Sequence, residues 1–99
     1  MLNIEKNREG NTLTVVPEGR VDTTTASQFE QELKASIDGV TELILDFGKL
    51  NYISSAGLRV LLTMQKTMSK QGSMKLCNVN ETVTEILEVT GFTEILTIE

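Results

Sequence analysis

Hydrophobic and polar positions alternate at the start of the chain. Leu2 and Ile4 have polar neighbours, Leu13 to Pro17 is rich in β-branched residues, and Gly10-Asn11 separates the two stretches. Period-two alternation on either side of a glycine turn predicts an opening hairpin. The period then changes. Ala26, Phe29, Leu33 and Ile37 recur at helical spacing, with Gln28, Glu30, Gln31, Glu32 and Lys34 on the other faces. Thr23-Thr24-Thr25 can accept hydrogen bonds from a helix's first amides, and Thr25 with Gln28 fits a capping box. A helix is therefore expected over Thr23 to Asp38, with Gly39 ending it in a left-handed turn.

Val40 to Phe47 is apolar on both faces except at Asp46, which predicts a central strand covered by helices. Gly48 to Ile53 reads as a connecting loop. From Ser55 or Ala56 to about Lys70 the spacing is helical again. Gly57, Leu58, Val60, Leu61, Leu62, Met64 and Met68 fall on one arc, and Arg59, Thr63, Lys66 and Lys70 form a polar stripe. Gln71-Gly72 closes this helix, and Met74 to Val79 reads as a further strand. Asn80-Glu81 opens a short helix with Val83, Ile86 and Leu87 inward, stopped by Thr90-Gly91. Phe92 to Ile98 follows, with Ile95 to Ile98 as a candidate last strand. The order β-β-α-β-α-β-α predicts an α/β fold with a partly parallel sheet and helices packed on it.

At 99 residues the chain can build one hydrophobic core and not two, so residues 1–99 are expected to form a single domain. The apolar and charged fractions, 39% and 23%, are those of ordinary globular proteins, which argues against disorder. Aliphatic runs such as Leu43-Ile44-Leu45 are strand-sized and far short of a bilayer span, and Met1 to Lys6 does not have the pattern of a secretory signal. A cytoplasmic protein without membrane insertion is expected. The net charge of -5, with nine Lys and Arg scattered singly, leaves no basic stripe for nucleic acid, so proteins are the expected partners. The absence of histidine and the single cysteine exclude the usual zinc sites and every His-dependent triad. No cofactor or metal is expected, and Cys77 reads as a core thiol in its strand. Gly48-Lys49 lacks the rest of a phosphate-binding loop, which sets aside a nucleotide-handling enzyme.

The segment with chemical potential is Ser54-Ser55, where a buried strand hands over to a helix. Ser55 can be read as an N-cap, with Gly57 letting the first turn approach the sheet. It can equally be read as an exposed hydroxyl that accepts a phosphoryl group, adding about -1.5 to -2 charges at a helix end that tolerates them. Asp22 likewise fits either a cap of the following helix or a partner contact.

Ile53-Ser54-Ser55-Ala56-Gly57-Leu58-Arg59-Val60-Leu61-Leu62, with Leu43 to Asp46, Gly19-Arg20-Val21-Asp22 and Val89-Thr90-Gly91-Phe92, resembles the STAS domain of bacterial anti-sigma factor antagonists. The resemblance implies a mixed four- to five-stranded sheet with packed helices and a partner-switching cycle. In that cycle the unphosphorylated protein binds an anti-sigma factor that is also a serine kinase and so frees a sigma factor. Phosphorylation reverses the binding, and a serine phosphatase resets it. The family's acceptor lies two positions before the motif glycine, which is Ser55 here. Ser54 stands where many members have aspartate and becomes the second-choice acceptor; Ala56 stands in place of a second hydroxyl residue. Gly19 and Asp22 match the family's Gly-x-x-Asp element, which implies that Asp22 lies near the acceptor loop. The implied partner face comprises Asp22, Thr23, Ser54, Ser55, Ala56, Gly57, Arg59 and Thr63. The alternative within the same fold is a structural or regulatory STAS subunit of a transporter or sensory complex, in which the serine is only a cap.

Overall fold

The opening alternation forms the hairpin it predicts. In the structure, a computed structural model that describes residues 2–99, β1 (Asn3–Glu9) pairs antiparallel with β2 (Thr12–Val21) across a left-handed Gly10. β2 is the strand on which the rest is built. Its first part, Thr12–Val15, pairs in parallel with β3 (Glu42–Asp46), and its last part, Gly19–Val21, pairs in parallel with β4 (Leu50–Ile53). Pro17, which has no amide to donate, sits in the short stretch between these two ladders. β5 (Ser73–Cys77) adds in parallel to the far side of β3, completing a mixed five-stranded sheet.

β4 corrects the expectation of a loop over Gly48 to Ile53. Only Leu50 and Ile53 of this short strand are fully buried, too brief a pattern to signal a strand, and its pairing partner lies some thirty residues earlier.

Register explains where the core lies. Leu13 and Val15 of β2, Leu43 and Leu45 of β3, and Met74 and Leu76 of β5 stand side by side on one face and are buried. Two helices cover that face: α1 (Ala26–Ser36) contributes Phe29 and Leu33, and α2 (Ser55–Gln71) contributes Leu61, Met64 and Met68. The opposite face carries Thr14, Ile44 and Lys75 in register, all half-buried. Cys77 is on this second face and half-buried, so it is not the core thiol expected. Alternation along β5 puts it opposite to Leu76.

α3 (Glu81–Val89) is tied to β4 through Asn80. Its Oδ1 accepts from the Val83 amide at 2.9 Å while its Nδ2 donates to the Leu50 carbonyl at 2.6 Å. The expected last strand is reduced to a single bridge between Ile98 and Leu76, after a 3-10 turn at Phe92–Glu94.

Candidate functional site

The hand-over from β4 to α2 divides the serine pair. Ser54 is the cap: its backbone is extended, its Oγ accepts from the Gly57 amide at 3.4 Å, and its carbonyl accepts from the Leu58 amide at 2.9 Å. The reading of Ser55 as N-cap is therefore corrected by one position. Ser55 is the first helical residue, exposed, and its hydroxyl has no hydrogen-bond partner among the described residues. What the geometry offers is an accessible hydroxyl at the first turn of α2.

Gly57 fixes how low this turn sits. It is buried, and a Cβ built on it would lie 2.6 Å from both Val21 Cγ1 and Ile53 Cγ1. Only a residue without a side chain lets the first turn of α2 rest on the ends of β2 and β4. Gly57 thus shapes the site from beneath and is not itself on the face open to a partner.

The Gly19–Asp22 element is brought to the serines by backbone pairing. β2 leaves β3 after Val15 and pairs with β4 from Gly19 on; within this second ladder the register shifts between Gly19 and Arg20, where Gly19 sits at φ 115°. Val21 then pairs with Ile53, and the Ser54 amide donates to the Val21 carbonyl at 2.8 Å. Across this junction the Arg20 guanidinium stacks over the Tyr52 ring at 4.5 Å. Asp22, next along the chain, is half-buried, and its Oδ1 accepts from the Thr24 hydroxyl at 2.6 Å and from the Thr24 and Thr25 amides at 2.9 and 3.2 Å. The Thr24 hydroxyl first, and the Thr24 amide next, hold its carboxyl below the ordinary aspartate range.

These bonds overturn the capping box. The Thr25 hydroxyl donates to the Arg20 carbonyl at 2.8 Å and accepts from the Asp22 backbone amide at 2.9 Å, and the Gln28 side-chain Nε2 donates to the Leu2 carbonyl. Thr25 makes no side-chain cap, and α1 begins at Ala26 instead of Thr23. Asp22 serves the turn before the helix, where its carboxylate competes for the amides that a longer helix would have used.

Two grooves meet at Arg59. One, between α1 and α2, is lined by Thr23, Ser27, Glu30, Ala56, Arg59 and Thr63. The other is lined by Ser55, Leu58, Arg59, Leu62, Thr90 and Phe92. Of the expected residues, Thr23, Ala56 and Thr63 line the first groove with Arg59, and Arg59 also lines the second, beside the exposed Ser55. Thr90 and Phe92 are the residues that the sequence did not place here. They come from the far end of the chain, and no local pattern signals the contact. Among the described residues no group of metal-ligating side chains is present, and no helix is long and apolar enough to cross a membrane.

The family model described as the STAS domain matches residues 3–99. The chain belongs to the STAS domain family. Among curated relatives of this STAS domain, BtrV of Bordetella bronchiseptica, named as an anti-sigma factor antagonist, is 44% identical over 80 residues, covering 79% of this chain and 69% of the relative. The anti-sigma-B factor antagonist of Bacillus subtilis is 26% identical over 98 residues, covering 98% of this chain and 90% of the relative. Solved structures share the fold of this STAS domain. An anti-sigma factor antagonist from Mycobacterium paratuberculosis superposes with a TM-score of 0.90 at 18% identity, covering 99% of this chain and 85% of that one. The unphosphorylated form of the anti-sigma factor antagonist SpoIIAA gives 0.83 at 19% identity, covering 98% and 88%. SpoIIAA, described as a Bacillus cell fate determinant, has also been solved in its phosphorylated form.

Proposed function

We propose that this STAS domain is an anti-sigma factor antagonist whose binding is switched off by phosphorylation of Ser55. The observation that carries the reading is the division of the serine pair: Ser54 spends its hydroxyl on the cap, and Ser55 keeps its hydroxyl free at the surface. The relatives named as anti-sigma factor antagonists support the class of partner, and a fold neighbour solved in both phosphorylation states supports the switch.

In this reading the unphosphorylated domain docks on an anti-sigma factor that is also a serine kinase, using the surface around Ser55 that includes Asp22, Thr23, Ala56, Arg59 and Thr63. A sigma factor is thereby released. The kinase moves the γ-phosphoryl group of ATP to the Ser55 Oγ: the new Oγ–P bond forms, the β–γ bridging bond breaks, ADP leaves and the hydroxyl proton is lost. The product is a dianion that a docked partner must desolvate, and a partner without basic groups opposite it is expelled. A serine phosphatase hydrolyses the ester and restores binding. The domain works in the cytoplasm as a regulator, not a catalyst, with no direct contact to nucleic acid.

The test is to incubate the protein with its cognate kinase and ATP and map the modified residue by mass spectrometry. Phosphate is expected on Ser55; label that persists unchanged in Ser55→Ala overturns the assignment. Ser55→Asp is expected to bind the kinase more weakly than wild type while folding normally. Equal binding by a folded Ser55→Asp rejects charge exclusion.

A further inference from the structure

We propose that Arg59 holds the phosphate once Ser55 carries one, forming an i,i+4 phosphoserine–arginine pair along the first two turns of α2. The proposal rests on the reading of Ser55 as the acceptor and adds how the modified site is organised.

Three observations lead to it. First, Ser55 and Arg59 are both exposed, one helical turn apart, and line the same groove with Leu58, Leu62 and Phe92. Residues at this spacing have Cβ atoms about 5–6 Å apart. Helical side chains lean toward the N-terminus, so the natural course of Arg59 runs back over the turn that carries Ser55. Second, of the three arginines only Arg59 lacks a protein partner among the described residues. Arg8 donates to the carbonyls of Gly10 and Asp38, and Arg20 lies over Tyr52. Third, the one carboxylate that lines a groove with Arg59 is already paired: Glu30, in the other groove, pairs with Lys34 at 3.3 Å. Arg59 is thus a cation with no internal use beside a hydroxyl with no internal use.

A guanidinium presents parallel N–H donors that fit two phosphate oxygens, and charge-assisted bonds of this kind are among the stronger polar contacts available to a side chain. The apolar wall of Leu58, Leu62 and Phe92 keeps part of the surrounding water away and so strengthens the attraction. The consequence for the switch is twofold. Phosphorylation places an anion on the docking surface, and it also withdraws from that surface a cation that was free to meet an acidic group of the partner. Modification therefore reverses the local charge in two ways with one covalent change.

The experiment uses full-length protein with phosphoserine installed at position 55 by genetic-code expansion, so that no kinase is needed. Titration followed by phosphorus NMR reports the second ionisation of the phosphate in wild type, Arg59→Gln, Arg59→Lys and Lys66→Gln. A phosphate held by Arg59 ionises about one pH unit lower than in Arg59→Gln, with Arg59→Lys between them. Lys66→Gln, on the same stripe but two turns further from Ser55, is expected to match wild type. Identical titrations of wild type and Arg59→Gln overturn the pairing, as does an equal shift in Lys66→Gln, which would indicate only the general field of the helix. Arg59 is exposed, and thermal melts of each variant check that the fold is retained. Because the phosphoserine is encoded, a kinase that leaves Ser55 unmodified rejects the functional reading without altering this result.

Discussion

The Ser54 amide donates to the Val21 carbonyl at 2.8 Å. This bond extends the β2–β4 ladder between two segments that are more than thirty residues apart in sequence: the end of β2, which turns at Asp22, and the end of β4, which caps α2. It makes the Gly19–Asp22 element and the serine pair parts of one surface. It also sets the order of dependence. Gly19, at positive φ, accommodates the register shift in the β2–β4 ladder, the shifted register pairs Val21 with Ile53, and that pairing places Ser54 to cap the helix on which Ser55 is presented.

The division of the serine pair predicts that the two alanine substitutions separate. Ser54→Ala removes a cap whose hydrogen bond is long at 3.4 Å, so a loss of stability of about 0.5–1 kcal/mol is expected, the lower part of the range for such caps. Ser55→Ala removes an exposed hydroxyl without a partner and should fall within about 0.5 kcal/mol of wild type. Urea denaturation of both variants checks this. The reverse order of effects would return Ser55 to the role of cap.

Gly57→Ala sets two effects against each other. Alanine favours a helix by up to about 1 kcal/mol over glycine. Its Cβ, however, would lie 2.6 Å from Val21 Cγ1 and Ile53 Cγ1, and both of those side chains are buried, β-branched and stiff. Overpacking of this kind costs about 1–3 kcal/mol, so the variant is expected to be less stable by about 1 kcal/mol. The first turn must lift, and partner binding should weaken more than stability alone explains. A variant as stable as wild type, with unchanged binding, would show that the depth of this turn is not what sets the docking surface.

Much of this arrangement is legible in the sequence. β2, α1, α2 and β3 are visible because each buries a regular set of positions: Ala26, Phe29, Leu33 and Ile37, for example, are all buried as their spacing predicts. The serine pair and its glycine were visible as a motif. The misreadings share a physical cause, competition from outside the local window. Leu50–Ile53 is a strand because β2 lies beside it. Thr25 is no capping-box residue because Asp22 and Arg20 claim its hydroxyl. Thr90 and Phe92 reach the Ser55 groove through tertiary packing, which no periodicity encodes.

Cys77 illustrates the same point and yields a prediction. Its half-buried position pushes the thiol above its ordinary pKa, with the nearby Asp46 carboxylate adding to the effect and Lys75 opposing it. Thiolate is the reactive form, so alkylation by iodoacetamide at neutral pH should be slower in the folded protein than in the same protein unfolded in urea. A folded-state rate equal to or faster than the unfolded rate would identify Cys77 as activated.

Asp22 gives the pH dependence. Its carboxylate, bonded by the Thr24 hydroxyl and by the amides of Thr24 and Thr25, has a folded-state pKa below the ordinary value of about 3.9. The unfolded chain therefore takes up the proton first as the pH falls. The stabilisation from this group is complete above the unfolded value and drains away as the pH drops through the lower folded value. Asp22→Asn keeps the shape of the side chain and an acceptor oxygen but has no charge to lose. Wild type should be the more stable protein by a constant margin at about pH 5 and above, and the margin should narrow below about pH 4. Thermal melts of both proteins across that range test the sign. A margin that holds steady to about pH 3, or widens there, would mean that the turn before α1 depends on the geometry of Asp22 and not on its ionisation, and the Ser55 surface would then keep its Asp22 edge even in acid.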